Sequence, residues 1–314
     1  MDKPKLYVLV GLSGSGKSTL AAQLAESNEN TVIVSSDAIR EELTGKIEDQ
    51  SRNNEVFEIF HQRIRKNLEE EKNTIADATN LLIKSRLRIL NMTRGLDVEN
   101  ICIICAKPFE ICWKHNMKRE HPVPESVLDK QIRKFQIPFY EEGWDDIQIQ
   151  NKYHLYRSDQ TNKLLLAMMG FDQKNPHHDK DLGDHAVEVM ARFGDFGYSE
   201  SYNLAALFHD VGKLYTQTSD DNGVAHYFGH ESFGSYVMLM NLINRMDLDK
   251  DTVLERCFLI NYHMLPFGWG TEAAQKRWRK IFGEDKYLML TRFHECDTKG
   301  VRTTDVINSV ELFV

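Results

Sequence analysis

Two groups of residues in this 314-residue chain have types and spacing that could do chemistry. The first is Gly11-Leu12-Ser13-Gly14-Ser15-Gly16-Lys17-Ser18, which fits G-x-x-x-x-G-K-[ST] at every fixed position. Its glycines let backbone N–H groups turn inward around a phosphate, Lys17 reaches the outer phosphates, and the Ser18 hydroxyl can take a Mg²⁺ position. Gly11, Ser13, Gly14, Ser15, Gly16, Lys17, Ser18 and Thr19 are therefore expected to hold ATP or another NTP, with Mg²⁺. The second group centres on the adjacent pair His209-Asp210, with His185, His230, His263 and Asp297 elsewhere in the same half of the chain. Imidazole and carboxylate together suit Mn²⁺, Fe²⁺, Co²⁺, Ni²⁺ or Zn²⁺, and a set of this size could bind two ions that activate a water and clamp a phosphate.

The first group needs a strand before it and a helix after it. Leu6-Tyr7-Val8-Leu9-Val10 supplies the strand and Thr19-Leu20-Ala21-Ala22 opens the helix. Thr31–Val34 predicts a second strand, ending in Ser35-Ser36-Asp37-Ala38-Ile39-Arg40. At the carboxyl edge of a parallel sheet Asp37 stands beside the phosphates and could accept the proton of an attacking hydroxyl; Ser36 or Asp37 could equally cap a helix. Residues 50–72 read as a helix through Val56, Ile59, Phe60, Ile64 and Leu68. Asn73–Asp77 predicts a third strand, after which Lys84, Arg86, Arg88 and Arg94 lie on a basic helix. Asp77 could act on the metal through water, bind substrate, or cap the turn. Val98–Ala106 predicts a fourth strand, Pro108 the first position of a helix, and Tyr153–Tyr156 the last strand. Residues 107–134 carry seven lysines and arginines against four acidic residues, which fits either a lid or a solvated helix face.

The length suggests two domains, and the net charge of -8 means that any polyanion must be held by a local basic surface. No apolar run is long enough for a membrane span, and Met1-Asp2-Lys3-Pro4 does not begin a signal peptide, so a cytoplasmic protein is expected. Five cysteines read as reduced, partly buried thiols. Cys102 and Cys105 form a C-x-x-C, but in a strand residues three apart point to opposite faces. From about Ser158 the strand-and-helix alternation stops, and everything after it reads as helix. Lys276-Arg277-Trp278-Arg279-Lys280 could stack a base on its indole, or dock Trp278 on the core.

Residues 5–157 resemble the polynucleotide 5′-hydroxyl kinase module of phage polynucleotide kinase and bacterial polynucleotide kinase-phosphatase. The resemblance rests on the glycine-rich loop, Ser35-Ser36-Asp37 with Arg40 three residues on, Asp77-Ala78-Thr79-Asn80, and Arg119 ahead of Val123-Pro124. It implies Asp37 as general base, Arg40 on substrate phosphate, Asp77 and Asn80 on the substrate side, and Arg119 stabilising the transferring group. One departure is His115, which stands where a second basic lid residue would align.

The second half resembles the HD phosphohydrolase superfamily through Asp184-His185-Ala186-Val187, His209-Asp210, Tyr227-Phe228-Gly229-His230-Glu231, His263 and Asp297. Asn175-Pro176-His177-His178 followed by His185 is similar to the HD domain of bacterial CCA-adding enzymes. The resemblance implies that His185, His209, Asp210 and Asp297 hold a first metal, that His230 and His263 complete a second site, and that Lys213 meets substrate phosphate. The expected architecture is an α/β P-loop NTPase domain over 1–157, a parallel sheet with flanking helices, followed by an all-α HD domain over 158–314. The expected function is end healing: a 5′-hydroxyl polynucleotide kinase joined to a metal phosphoesterase that removes 2′,3′-cyclic or 2′/3′-phosphates from RNA or DNA ends, before a ligase acts. In the fused end-healing proteins it resembles, the HD domain comes first. A small-molecule kinase joined to an HD nucleotide phosphohydrolase, or a kinase with a non-catalytic RNA-binding HD domain, are the alternatives.

Overall fold

The computed structural model describes residues 3–150, 160–175, 180–243, 245 and 247–298. The chain divides into two compact units, Met1–Tyr153 and His154–Val314.

The first unit is a five-stranded parallel sheet with flanking helices. Its strands are β1 (Lys5–Val10), β2 (Thr31–Ser35), β3 (Asn73–Asp77), β4 (Glu99–Cys105) and β5 (Asp146–Gln150), in the order β2-β3-β1-β4-β5. The helices are α1 (Lys17–Ser27), α2 (Ser36–Thr44), α3 (Asn53–Glu69), α4 (Ile83–Leu90), α5 (Phe109–Asn116) and α6 (Glu125–Ile132). Strand β1 is central, and its near-continuous apolar run is what a strand covered on both faces requires. Tyr7, Leu9, Ile75, Ile101 and Ile103 form the core under one face, closed by Ala21 and Leu24 of α1. In α3, Val56, Phe60, Ile64 and Leu68 recur every fourth residue on the buried side.

Several expectations are corrected. Strand β5 lies at Asp146–Gln150, paired to β4, whereas the expected strand at Tyr153–Tyr156 falls outside the described residues. An edge strand with one wet face alternates, and Ile147 and Ile149 between polar residues carry only that weaker signal. The cap of α2 is Ser35, whose hydroxyl accepts from Ala38 N–H at 3.4 Å, so neither Ser36 nor Asp37 is spent there. Pro108 is the cap residue of α5 rather than its first helical residue. Arg86 leaves the basic helix for the interior: fully buried, it forks onto Glu142 (2.8 and 2.5 Å) and donates to the carbonyls of Asn80, Leu81 and Gln136. Removing one partner of such a pair typically costs about 3–5 kcal/mol. Cys102 and Cys105 are both buried in β4, and burial pushes the Cys105 thiol up to about 11. No described cysteine is disulfide-bonded.

The second unit contains α7 (Thr161–Met168), α8 (Leu182–Gly194), α9 (Glu200–Leu207), α10 (Lys213–Thr216), α11 (His230–Leu242), α12 (Lys250–Tyr262) and α13 (Glu272–Thr298). It is not wholly helical: β6 (Thr218–Ser219) and β7 (Ala225–His226) pair as an antiparallel ribbon. The Asp220 carboxylate accepts from Asn222 and Val224 N–H and Gly223 takes φ +80°, a turn that local helix reading passes over. Helix α13 kinks at Gly283 (φ 74°, ψ 167°). Trp278 stacks on Phe282 at 5.0 Å, the docked alternative for that basic stretch. No helix among the described residues is long and apolar enough to cross a membrane.

Candidate functional site

Strand β1 delivers the glycine-rich loop to the carboxyl edge of the sheet, and α1 begins at Lys17. The cap residue Gly16 is left-handed (φ 94°), no side chain caps the helix, and its first turn has no acidic residue. The first-turn N–H groups therefore point outward as a positive end suited to an anion. Gly14 also takes positive φ, and a Cβ there would lie 2.1 Å from the Cys112 carbonyl; a Cβ on Gly16 would lie 2.7 Å from Lys107 Nζ. Lys17 is buried with Nζ donating to Leu12 O at 2.9 Å; burial pulls its pKa down and Asp77 offsets part of that. Ser15 Oγ is buried without a hydrogen-bond partner among the described residues. An orphaned hydroxyl, an uncapped helix start and a glycine cradle together fit an NTP phosphate.

Register pairs Ser35 with Asp77, which brings the start of α2 beside the end of β3. Asp77, expected on the substrate side, accepts from the Ser18 hydroxyl and faces Lys17; burial raises its carboxyl and Lys17 opposes that. It belongs with the Mg²⁺ ligand Ser18 rather than with substrate. Asp37 Oδ1 accepts from Arg40 Nη1 at 2.8 Å, and its Oδ2 lies 3.7 Å from Arg119 Nη2. Arg40 is buried and also donates to Asn53 Oδ1 at 3.1 Å, while Asp37 is half exposed. Asn80, expected to touch substrate, is buried with its amide donating to Leu9 and Ala76 carbonyls. Its neighbour Thr79 accepts from Gly11 N–H at 3.1 Å, so this turn fixes the start of the loop.

Sequence reasoning read the charges of residues 107–134 and missed the neutral groups that touch the loop. Gln131 Oε1 accepts from Ser13 N–H at 2.8 Å and its Nε2 donates to Ser13 Oγ at 3.0 Å. His115 Nδ1–H donates to the Gly14 carbonyl at 3.1 Å. A glutamine in a helix carries no pattern that announces such a contact.

In the second unit, helix α9 ends at Leu207, and the turn after it presents His209 and Asp210 side by side. Asp210 is shared between two clusters. Its Oδ2 lies 3.2 Å from His209 Nε2 and 3.7 Å from His185 Nε2, and its Oδ1 lies 3.1 Å from His230 Nε2 and 3.6 Å from His263 Nε2. Asp297, from the end of α13, adds Oδ1 at 3.0 Å from His185 Nε2 and 3.5 Å from His209 Nε2. His185, His209 and Asp210 form one metal-competent triad, and Asp210, His230 and His263 the other. His209, Asp210, His230 and His263 are buried.

The tautomers are set locally. The Nδ1–H groups of His209, His230 and His263 donate to the carbonyls of Ala206, Tyr227 and Ile260 at 2.8, 2.9 and 2.8 Å, leaving each Nε2 lone pair inward. His209 Nε2 is buried without a well-formed hydrogen bond to any described residue. Burial works to lower the His209 pKa, but the Asp210 and Asp297 carboxylates raise it to about 10. Burial lowers His263. Asp210 and Asp297 are held below the ordinary carboxylate range, against burial, by Lys213 and His209 for the first and by His185 and His209 for the second. Inward lone pairs, two buried carboxylates and an orphaned ring nitrogen fit divalent cations. Lys213, expected on substrate phosphate, is buried, with Nζ 2.7 Å from Asp210 Oδ2 and 2.9 Å from Gln173 Oε1. His177 and His178 lie outside the described residues.

The chain is 26% identical over 166 residues to L-seryl-tRNA(Sec) kinase of Methanococcus maripaludis, a match covering 51% of this chain and 64% of that protein. Among solved structures, a chain of the Pnkp1/Rnl/Hen1 RNA repair complex is 26% identical with TM-score 0.39, covering 43% of this chain and 44% of that one. A fungal RNA kinase is 14% identical with TM-score 0.37, covering 76% of this chain and 98% of that one. The chain thus spans less than two thirds of the seryl-tRNA kinase and under half of the repair-complex chain. Residues 6–138, which contain every residue of the first site, match the family described as the AAA domain.

Proposed function

We propose that this chain heals broken RNA ends, with a 5′-hydroxyl kinase in its first unit and a metal-dependent phosphoesterase in its second. The observation that carries the first half is Asp37, a half-exposed carboxylate held by buried Arg40 and faced by Arg119 at the sheet edge where the phosphate loop opens. Bound NTP and Mg²⁺ would supply the phosphoryl group and its countercharge. The N–H groups at the start of α1 and Lys17 hold the phosphates, while Ser18 and Asp77 form the pair that would hold Mg²⁺. Asp37 takes the proton of the attacking hydroxyl, Arg40 fixes the angle of that carboxylate, and Arg119 sets its planar fork against charge developing on the transferring group. A relative named for phosphorylating seryl-tRNA(Sec) supports an acceptor hydroxyl carried on RNA.

In the second unit His185, His209, Asp210 and Asp297 would hold one divalent ion, and Asp210, His230 and His263 the other, drawn from Mn²⁺, Fe²⁺, Co²⁺, Ni²⁺ and Zn²⁺. Such ions would supply an activated water and a clamp on phosphate. Asp210 spans both positions, and Lys213 keeps it ionised and oriented. A domain that only bound RNA would have no use for inward imidazole lone pairs around a buried carboxylate. The expected products, a 5′-phosphate and a free 3′-end, are the substrates of a nucleic-acid ligase.

One assay tests both halves. An oligoribonucleotide with a 5′-hydroxyl and a 2′,3′-cyclic phosphate is incubated with ATP, Mg²⁺ and Mn²⁺, and both ends are resolved on a denaturing gel. Conversion of both ends is expected. An unchanged 5′ end removes the kinase assignment, and an unchanged 3′ end removes the phosphoesterase.

A further inference from the structure

The exposed aromatic side chains of the second unit are not scattered. Phe228, Phe267 and Tyr215 are 74%, 57% and 46% exposed, and each lies within four residues of a residue of the His/Asp cluster: His230, His263 and Lys213. Burying a ring normally stabilises a fold by about 1.5–3 kcal/mol, so three rings left in water beside one site stand out. Two of them are seated on histidines. Phe228 is stacked on His226 with centroids 5.6 Å apart and planes 8° from parallel, and Phe267 meets His294 edge-on at 4.3 Å. Their placement is fixed by the site. His230 Nδ1–H holds the Tyr227 carbonyl, which pins the turn carrying Phe228, and the 3-10 turn Leu265–Gly268 begins two residues after His263. His294 lies one helical turn before Asp297.

We infer that Phe228 and Phe267 are a stacking platform for a nucleobase, so that the ligand whose phosphate reaches the Asp210-His230-His263 triad is a nucleotide rather than a phosphate ester without a base. The inference rests on the phosphohydrolase reading above and adds its substrate class. A flat exposed ring next to a cationic, phosphate-sized site matches a molecule that has an aromatic plane and a phosphate a few ångströms apart. Base-on-aromatic stacking is worth enough that losing one ring weakens binding about ten-fold.

The test uses the full chain loaded with Mn²⁺. KM is measured for 2′,3′-cyclic AMP, and dissociation constants for adenosine 2′-monophosphate and inorganic phosphate are measured by calorimetric titration. Phe228→Ala and Phe267→Ala are expected to raise KM and weaken nucleotide binding about ten-fold, with phosphate affinity within two-fold of the parent. Phe228→Tyr should restore both values. Leu166→Ala, equally exposed but away from the cluster in sequence, should change neither. Unchanged nucleotide binding in both alanine variants, or a parent that binds the nucleotide no more tightly than phosphate, would overturn the platform. A parent that binds nucleotide through the two rings but hydrolyses nothing keeps the platform and removes the hydrolase.

Discussion

His230 Nε2 and His263 Nε2 face each other at 3.2 Å, and neither neutral ring can donate there, because each has its N–H on a backbone carbonyl. Two lone pairs at that distance repel unless a cation lies between them, and Asp210 Oδ1 lies 3.1 Å from one and 3.6 Å from the other. The other carboxylate oxygen faces His209 and His185, so loss of Asp210 and loss of His263 should differ in stoichiometry. Asp210→Ala is expected to lose both ions and all 2′,3′-phosphoesterase activity, and His263→Gln to lose one ion with about a 10²-fold drop in rate. Elemental analysis per chain checks this, and equal metal content in the two variants would refute the shared carboxylate.

The two units have separate cores, so the same Asp210→Ala protein should phosphorylate 5′-hydroxyl oligonucleotides within a few-fold of the parent. Radiolabel transfer from ATP measures it.

Asp37→Asn keeps the shape of the side chain and its contacts near Arg40 and Asn53 but removes the proton acceptor. Transfer should fall about 10²-fold or more while nucleotide affinity, measured with a fluorescent NTP analogue, stays close to the parent. Full transfer activity would remove the base from Asp37.

Arg119 stands 3.7 Å from the same carboxylate and is partly exposed, with room for its fork to turn toward a transferring phosphate. Arg119→Lys keeps the charge but loses the planar pair of donors, so kcat should drop with little change in KM. A raised KM with kcat intact would place Arg119 in uniform substrate binding instead.

Burial depresses the Lys17 pKa, so its charge costs the ligand-free fold stability at every pH below the folded value. That cost shrinks as pH rises through the folded value and is gone above the ordinary 10.5. Lys17→Met should therefore melt no lower than the parent at pH 7, show a weaker rise in Tm between pH 7 and 10, and have no transfer activity. Added NTP should raise the Tm of the parent alone. Scanning calorimetry at three pH values with and without NTP decides the matter.

What the sequence determined by itself is what neighbours in the chain determine. The phosphate loop was legible because eight contiguous residues do the work, with glycine torsions and a following helix start that no distant residue needs to supply. Strands β1 to β4 were legible because a buried parallel strand leaves an apolar, β-branched run. The types of the metal-competent residues could be named, but not their arrangement. Only the packed helices bring Asp297 to His185 across 112 positions and turn Asp210 so that each of its oxygens serves a different histidine pair. The same holds for Arg86, which reads as surface charge until Glu142, 56 residues away, and three carbonyls make its burial tolerable. Lys213 and Asn80 looked like groups waiting for a ligand, and the fold occupies them with Asp210 and with the backbone of β1. Local propensity is written in adjacent residues. The pairing of a buried charge or an inward lone pair depends on which elements the core brings together, and that is settled only when the whole chain has packed.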